Sequence, residues 1–190
     1  MDAATRILRS EHEALRRMLE FTEDAADRMR RGESVQTEVL ARVVEFFRIF
    51  REGCLLTKEE DFLFPTLERK GLSRQGGPIA LMLIDHATGR RLMREMAEAS
   101  AAYEDGSREA GKRWAGVASD FVDLMRVHLN EEEEVLFMMA DTFLLPAEQA
   151  ELAAGFERLE VAKAVSGRHR RIHTMTEELL QGDEELKHAG

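Results

Sequence analysis

The chain has 190 residues, which is enough for one domain with its own hydrophobic core. Hydrophobic residues make up 44% of it and charged residues 34%, a composition that excludes an intrinsically disordered chain. The formal net charge of −10 argues against general nucleic-acid binding, which needs a basic surface.

The first half of the chain predicts two long helices. Hydrophobic residues recur there at three- and four-residue steps, and good helix formers dominate the composition. The first helix is predicted from Asp2 to Arg31, with Gly32 at its C-terminal cap. A second helix is predicted over about residues 34–69, with a kink at Pro65. The glycine-rich stretch that follows is the clearest loop.

The second half predicts three more helices. Pro78 suits the first turn of a third helix, which runs to about Tyr103. Ser107 is suited to cap a fourth helix that runs to about Leu144, and Pro146 opens a fifth. Long helices with short connections predict an all-α, up-down antiparallel four-helix bundle with an additional C-terminal fifth helix.

The compartment is predicted from features that the sequence lacks. With Cys54 as its one cysteine, the chain cannot form an internal disulfide, as is usual in a reducing compartment. The N-terminal stretch is charged, and no apolar run approaches the roughly 20 residues of a membrane span. We therefore expect a cytoplasmic protein without a membrane partner. The bundle is expected over residues 1–181, with a polar, flexible tail over 182–190.

Three of the six histidines lie in apolar stripes on three different predicted helices. His12 follows Leu8 by four residues, His86 lies among methionines, and His128 follows Leu124 by four. A repeat of 3.6 residues turns each of them toward the inside of the bundle. One buried histidine is more often a hydrogen-bonded core residue than a ligand, but three on three helices indicate a metal site.

Two glutamates are predicted to face the same place. Glu132 follows His128 by four residues and so shares its helix face, whereas most of the neighbouring glutamates are expected in solvent. Glu59 lies on the inner face of the second helix, with Glu60 as the next candidate. The segments that begin at Glu59 and Glu132 repeat one acidic-then-apolar pattern 73 positions apart. Imidazole and carboxylate together suit iron, zinc or manganese.

The chain resembles the haemerythrin-like (HHE cation-binding) family in three stretches, RSEHEALRRML, CLLTKEEDFLFPTLERKGLSRQGGPIALMLIDHATGRRL and VHLNEEEEVLF. The family's central block tends to read C-H-H-x-K-E-E-x-x-L-F-P, followed by a Gly-Pro loop and H-x-x-G-R. The later segments FERLE and GRHRRIH resemble its fifth-helix ending. The resemblance extends over about residues 5–180.

This resemblance implies non-haem iron, as two ions or one, with zinc or manganese as alternatives. The ligands it implies are His12, Glu59, His86, His128 and Glu132, with His169 as a sixth and Glu60 and His173 as further candidates. Glu59 and Glu132 would be the bridging carboxylates. For His169 and His173, a surface pair among arginines is the alternative interpretation.

The sequence departs from the family pattern at one ligand position. Leu55 and Leu56 stand where the family has two histidines, and a leucine cannot bind a metal. Leu55 precedes Glu59 by four residues, as His128 precedes its own glutamate. Arg90 also stands where some relatives have another histidine.

Three outcomes follow from this loss. One metal is retained at the end formed by His128 and Glu132, or two metals bind with an open position on the second. Alternatively, His169 or Cys54 replaces the missing ligand, although a buried structural role fits Cys54 better.

The function that these features predict is to bind or sense iron, dioxygen, peroxide or nitric oxide, and so the expected partner is a small diatomic or peroxide ligand. Peroxide-type enzyme activity stays open. The alternative is a degenerate, metal-poor helical scaffold that acts through protein contacts, for which Leu55 and Leu56 are the best support. A hydrolytic metal enzyme has less support, because no further general base or substrate loop is evident.

Overall fold

The computed structural model describes residues 3–165, and they form five helices without any strand among them. The all-helical prediction is therefore confirmed. The helices are α1 (Ala3–Arg30), α2 (residues 37–69), α3 (Pro78–Glu104), α4 (residues 108–143) and α5 (Pro146–Val165). The predicted tail over 182–190 lies outside the described residues.

Helices α2 and α4 are continuous but change their winding along their length. α2 runs through Thr37–Phe46 (α), Phe47–Leu55 (π), Leu56–Lys58 (α), Glu59–Leu63 (π) and Phe64–Arg69 (α). α4 runs through Arg108–Glu131 (α), Glu132–Leu136 (π) and Phe137–Phe143 (α). π-Helical turns are rare and often lie at functional sites. Both five-residue π-segments begin at a glutamate that the sequence singles out.

The predicted helix ends agree with the local chemistry. After α1, Gly32 has a φ of 81°, the left-handed conformation that glycine adopts without strain. At the start of α4, the Ser107 hydroxyl accepts a hydrogen bond from the Ala110 N–H at 3.2 Å. Pro65 is the second residue of the α-segment that follows a π-segment inside α2, and the kink predicted there stays a prediction.

The helices pack around one apolar core. α4 lies along both α1 and α3, α2 packs on α3, and α5 lies along α1. Phe47 of α2 meets Phe121 of α4 edge to face, with 4.8 Å between ring centroids. The up-down antiparallel order of the helices stays a prediction. Within residues 3–165, no helix has the length and apolar character that a membrane crossing requires.

Helix α5 is held against the bundle by an ion cluster and a close ring contact. Lys58 of α2 is buried, and its Nζ contacts Glu11 of α1 and, at 2.6 Å, Glu160 of α5. Gly155 of α5 allows the Phe62 ring to approach, since a Cβ there would lie 2.9 Å from the ring. Three helices are thus joined beside the segment that carries Glu59.

Candidate metal centre

Five of the ligand residues named from the sequence come together inside the bundle. His12 lies on α1, Glu59 on α2, His86 on α3, and His128 and Glu132 on α4. Each is at most 1% exposed, so all five side chains are shielded from solvent. His169 and His173 lie outside the described residues.

Each of the two glutamates, here called the inner carboxylates, lies between two imidazoles. Glu59 Oε1 is 3.7 Å from His12 Nε2, and Glu59 Oε2 is 3.3 Å from His86 Nε2. Glu132 Oε2 is 3.5 Å from His12 Nε2 and 3.6 Å from His128 Nε2. Most of these distances are long for hydrogen bonds but leave room for a shared cation.

Two sets of three ligand atoms are close enough to hold a metal ion each. The His86 trio consists of Glu59, His86 and His128, and the His12 trio of His12, Glu59 and Glu132. Within each trio the ligand atoms lie within 4.8 Å of one another. Glu59 belongs to both trios, so one carboxylate connects the two candidate positions.

The inner polar atoms are buried without a hydrogen-bond partner among the described residues. This holds for both carboxylate oxygens of Glu59 and Glu132 and for Nε2 of His12 and His86. Buried polar groups are normally hydrogen-bonded, whereas these carboxylates have only the longer contacts with imidazole nitrogens given above. A metal cation with nitrogen and oxygen ligands would bind the very atoms that lack a partner. The residues present therefore fit such a cation.

Behind the first two histidines lies an outer carboxylate. His12 Nδ1 is 2.8 Å from Glu133 Oε1, and His86 Nδ1 is 2.7 Å from Glu60 Oε1. In each ring, Nδ1–H donates outward, which leaves Nε2 directed at the inner carboxylates. This arrangement orients metal-binding imidazoles in many proteins. The sequence candidate Glu60 thus lies behind His86 and in neither trio.

His128 also has a carboxylate behind it, but at a longer distance and without a hydrogen bond. Its Nδ1 lies 3.4 Å from Asp85 Oδ2 on α3, while its Nε2 faces Glu132. Sequence reasoning did not identify Asp85 or Glu133 as part of the site. The available signal was their position, because Asp85 directly precedes His86 and Glu133 directly follows Glu132.

The close packing of charges shifts the titration of the inner groups. Burial opposes a charged imidazole at His86, but contacts with Glu59 and Glu60 outweigh it and raise the pKa of His86 to about 9. Burial likewise opposes ionisation of Glu59, but contacts with His12 and His86 lower its pKa to about 2. Without metal, His86 thus supplies positive charge that a bound cation would replace, with release of a proton.

The centre has an internal two-fold pattern in sequence and space. Residues of α2 recur in α4 73 positions later, as Glu59 and Glu132, Glu60 and Glu133, and Phe64 and Phe137. Residues of α1 recur in α3 74 positions later, as Glu11 and Asp85, His12 and His86, and Arg16 and Arg90. The two halves therefore bring the same residue types to the site.

Equivalent residues in the two halves make equivalent contacts. Arg90 holds Glu60 at 2.7 Å, as Arg16 holds Glu133 at 2.8 Å. Phe64 stacks on the His86 ring with 5.8 Å between centroids, and Phe137 lies 5.1 Å from the His12 ring. Arg90, where some relatives have a histidine, therefore orients an outer carboxylate here.

The pattern breaks at Leu55, whose equivalent in α4 is His128. Leu55 is 1% exposed and lies in the apolar core. Cys54 is also buried in that core, and it belongs to neither trio of the described residues. One half of the centre therefore has one ligand fewer than the other.

Replacing Glu133 by glutamine is expected to weaken metal binding without removing it. The amide no longer carries the charge that orients and polarises His12, and loss of such an outer contact typically costs about 10–100-fold in affinity. Titration of metal-free protein with Co²⁺ measures this change. Glu134→Gln is the matched control, because Glu134 is exposed and its loss changes the net charge equally. Equal affinities of the two variants would contradict the role of Glu133.

Comparison with protein families agrees with the geometry. The family model described as "Hemerythrin HHE cation binding domain" matches residues 3–140, which is well over half of the chain and contains both trios. Comparisons with curated proteins and with solved structures find no match.

Proposed function

Because the chain belongs to the haemerythrin HHE cation-binding family, we propose that it binds non-haem iron between its helices and uses it to bind or sense dioxygen, peroxide or nitric oxide. The observation that carries this proposal is the set of buried, unpartnered oxygens of Glu59 and Glu132, which face three imidazoles.

In this proposal Glu59 would help to hold a cation at both positions, and Glu132 would help to hold one in the His12 trio. The two oxygens of Glu59 face different histidines, which is the arrangement that a bridging carboxylate needs. His86 and His128 supply nitrogen to one position and His12 to the other. Iron bound there would supply one-electron chemistry and would bind a small ligand.

The protein's own contribution is to orient the ligands and keep water away. Glu60 and Glu133 fix the two imidazoles from behind, while arginines hold these carboxylates in turn. Phe64 and Phe137 cover two of the imidazole rings with apolar surface. Such a dry, fixed donor set is expected to favour a small apolar ligand over bulk solvent.

The donor types of the centre are compatible with iron. Both trios offer imidazole nitrogen and carboxylate oxygen without a thiolate, a set that suits iron and also accepts zinc or manganese. The iron assignment therefore rests on the family together with this donor set.

The second candidate, a metal-poor scaffold that acts through protein contacts, has one supporting observation. Leu55 and Leu56 are both buried, so apolar side chains occupy the place of two family histidines. The unpartnered atoms of Glu59 and Glu132 count against this alternative. A scaffold that had lost its metal would gain stability by replacing these buried carboxylates.

Metal content per chain tests the proposal. Protein purified without tags or chelators is analysed for metals beside the double variant His128→Ala, Glu132→Ala. We expect iron in the unmodified protein and its loss in the variant, because both removed side chains face the cation positions. The double variant Glu131→Ala, Glu134→Ala is the control, since both of these side chains are exposed.

The number of iron ions separates the remaining interpretations. About two per chain would support a di-iron centre despite Leu55, and about one would support a single position in the His86 trio. If folded protein neither carries metal nor takes it up, the scaffold interpretation replaces the iron proposal.

A further inference from the structure

The two-fold pattern of the centre is broken at a buried pair of residues as well as at Leu55. Arg51 of α2 stands at the position equivalent to Leu124 of α4, and Gly89 of α3 at the position equivalent to Leu15 of α1. Leu15 and Leu124 belong to or pack against the apolar core. One half of the bundle thus has two leucines where the other has a cation and a glycine.

Arg51 is fully buried, and Gly89 makes room for it. The guanidinium Nη1 pairs with Glu52. Its Nη2 lies 2.8 Å, and its Cζ 3.1 Å, from the place where a Cβ on residue 89 would be. Any side chain at Gly89 would therefore displace the guanidinium.

The guanidinium lies close to the level of the metal ligands. Arg90 contacts both Glu52 and Glu60, and His86 contacts Glu60, so this part of α3 lies beside residues 52–60 of α2. Gly89 follows His86 by three residues, which is about 5 Å along a helix axis. The Arg51 guanidinium therefore contacts α3 about one helical turn along from His86.

The charge of Arg51 acts on the carboxylates of the centre. Burial lowers the pKa of Arg51, whereas Glu52, Glu59 and Glu60 oppose this effect by favouring the charged form. An arginine stays protonated in proteins, so a fixed positive charge acts on Glu59, the residue that both trios share. Its Nε and Nη2 have no hydrogen-bond partner within residues 3–165.

The balance of charge in the centre suits one divalent cation. Two inner carboxylates neutralise one such ion. The carboxylates of Glu52, Glu60 and Glu133 already face arginines. A second divalent ion would bring buried positive charge toward Arg51, and within residues 3–165 the remaining carboxylate of the centre, Asp85, lies behind His128 and in neither trio.

We infer that Arg51, which packs against Gly89, is a built-in cation that stands in for part of the charge of a second metal ion and so weakens the binding of that ion, while the number of imidazoles decides which position fills first. The centre binds one divalent cation tightly, in the His86 trio with its two imidazoles. It binds a second one much more weakly, in the His12 trio. This inference rests on the proposed function, since it concerns the cation positions of the same site.

Titration of metal-free protein with Co²⁺ tests the inference, with calorimetry for affinity and visible absorption for ligand geometry. The unmodified chain is expected to bind one ion tightly and a second at least about tenfold more weakly. Arg51→Leu gives position 51 the residue found at the equivalent position 124. We expect it to raise the affinity for the second Co²⁺ ion by about 10–100-fold. Arg51→Lys keeps the positive charge, so we expect this variant still to bind the second Co²⁺ ion weakly.

Further variants separate the effect of the Arg51 charge on metal binding from a general change in net charge, from the missing ligand at Leu55 and from a failure to fold. Arg91→Leu removes one positive charge from the exposed face of α3, and we expect it to change the affinity for neither the first nor the second Co²⁺ ion. The double variant Arg51→Leu, Leu55→His is expected to bind two ions of similar affinity, because it also restores the ligand. Gly89→Ala, which moves the guanidinium without removing it, serves if Arg51→Leu fails to fold.

The outcomes distinguish this inference from the proposed function. Two equally tight ions in the unmodified protein would overturn the inference and leave the metal-binding function intact. The inference also fails if Arg51→Leu and Arg51→Lys bind the second Co²⁺ ion with the same affinity. Absence of any Co²⁺ binding by folded protein would instead overturn the proposed function.

Discussion

Replacing Glu59 by glutamine is expected to abolish tight metal binding at both positions. Glu59 is shared by the two trios, and its oxygens face His12 on one side and His86 on the other. A neutral amide removes the negative charge that a divalent cation requires. The loss should therefore exceed the roughly 10–100-fold that a change in an outer contact costs. Elemental analysis and Co²⁺ titration both measure it.

Glu60, the residue after Glu59, provides the matched control for Glu59→Gln. Glu60→Gln removes the same charge one position later, but Glu60 lies behind His86 and contacts Arg90. We expect this variant to keep its number of bound ions and to bind them more weakly. If Glu59→Gln kept the full metal content, Glu59 would not be a shared ligand.

Metal loading is expected to raise the stability of the folded protein strongly. The ligands come from four helices, so the site exists only in the folded chain. A ligand that binds only the folded state adds about 4 kcal/mol when its free concentration is a thousand times its Kd. For a chain of this length, that corresponds to a rise in Tm of roughly 8–16 °C. Thermal unfolding with metal and with a chelator measures the shift.

The same variants show whether this stabilisation comes from the centre. Glu59→Gln is expected to unfold at the same temperature with and without added metal, whereas Glu134→Gln should keep the full shift because its side chain is exposed. A metal-dependent shift that survives in Glu59→Gln would mean that the stabilising metal binds elsewhere.

Much of this site was predictable because helix geometry is local. A repeat of 3.6 residues in an apolar stripe determines which side of a helix a residue takes, and this placed His12, His86 and His128 inside. His128 then determined the register of Glu132 four residues later. The 73-residue repeat indicated that Glu59 and Glu132 face the same place, and the structure brings both to the centre.

The residue pattern within one helix could not predict the contacts between helices. Glu60 was a further ligand candidate and Glu133 was among the glutamates expected in solvent, but the structure pairs them with imidazoles 26 and 121 positions away along the chain. The π-segments that begin at Glu59 and Glu132 also escaped prediction, since the apolar repeat does not separate a π-turn from an α-turn.

The sequence by itself determined the helices and the inward direction of the histidines, since each depends on residues within a turn or two. The lack of a ligand at Leu55 followed from the family resemblance and the 73-residue repeat. Only the tertiary structure decided that Arg51 is buried. A charged residue is expected at the surface, and its burial depends on the empty space above Gly89, 38 positions later, and on carboxylates of the same centre. Such burial depends on which side chains the packed helices bring together, and the periodicity within one helix cannot predict it.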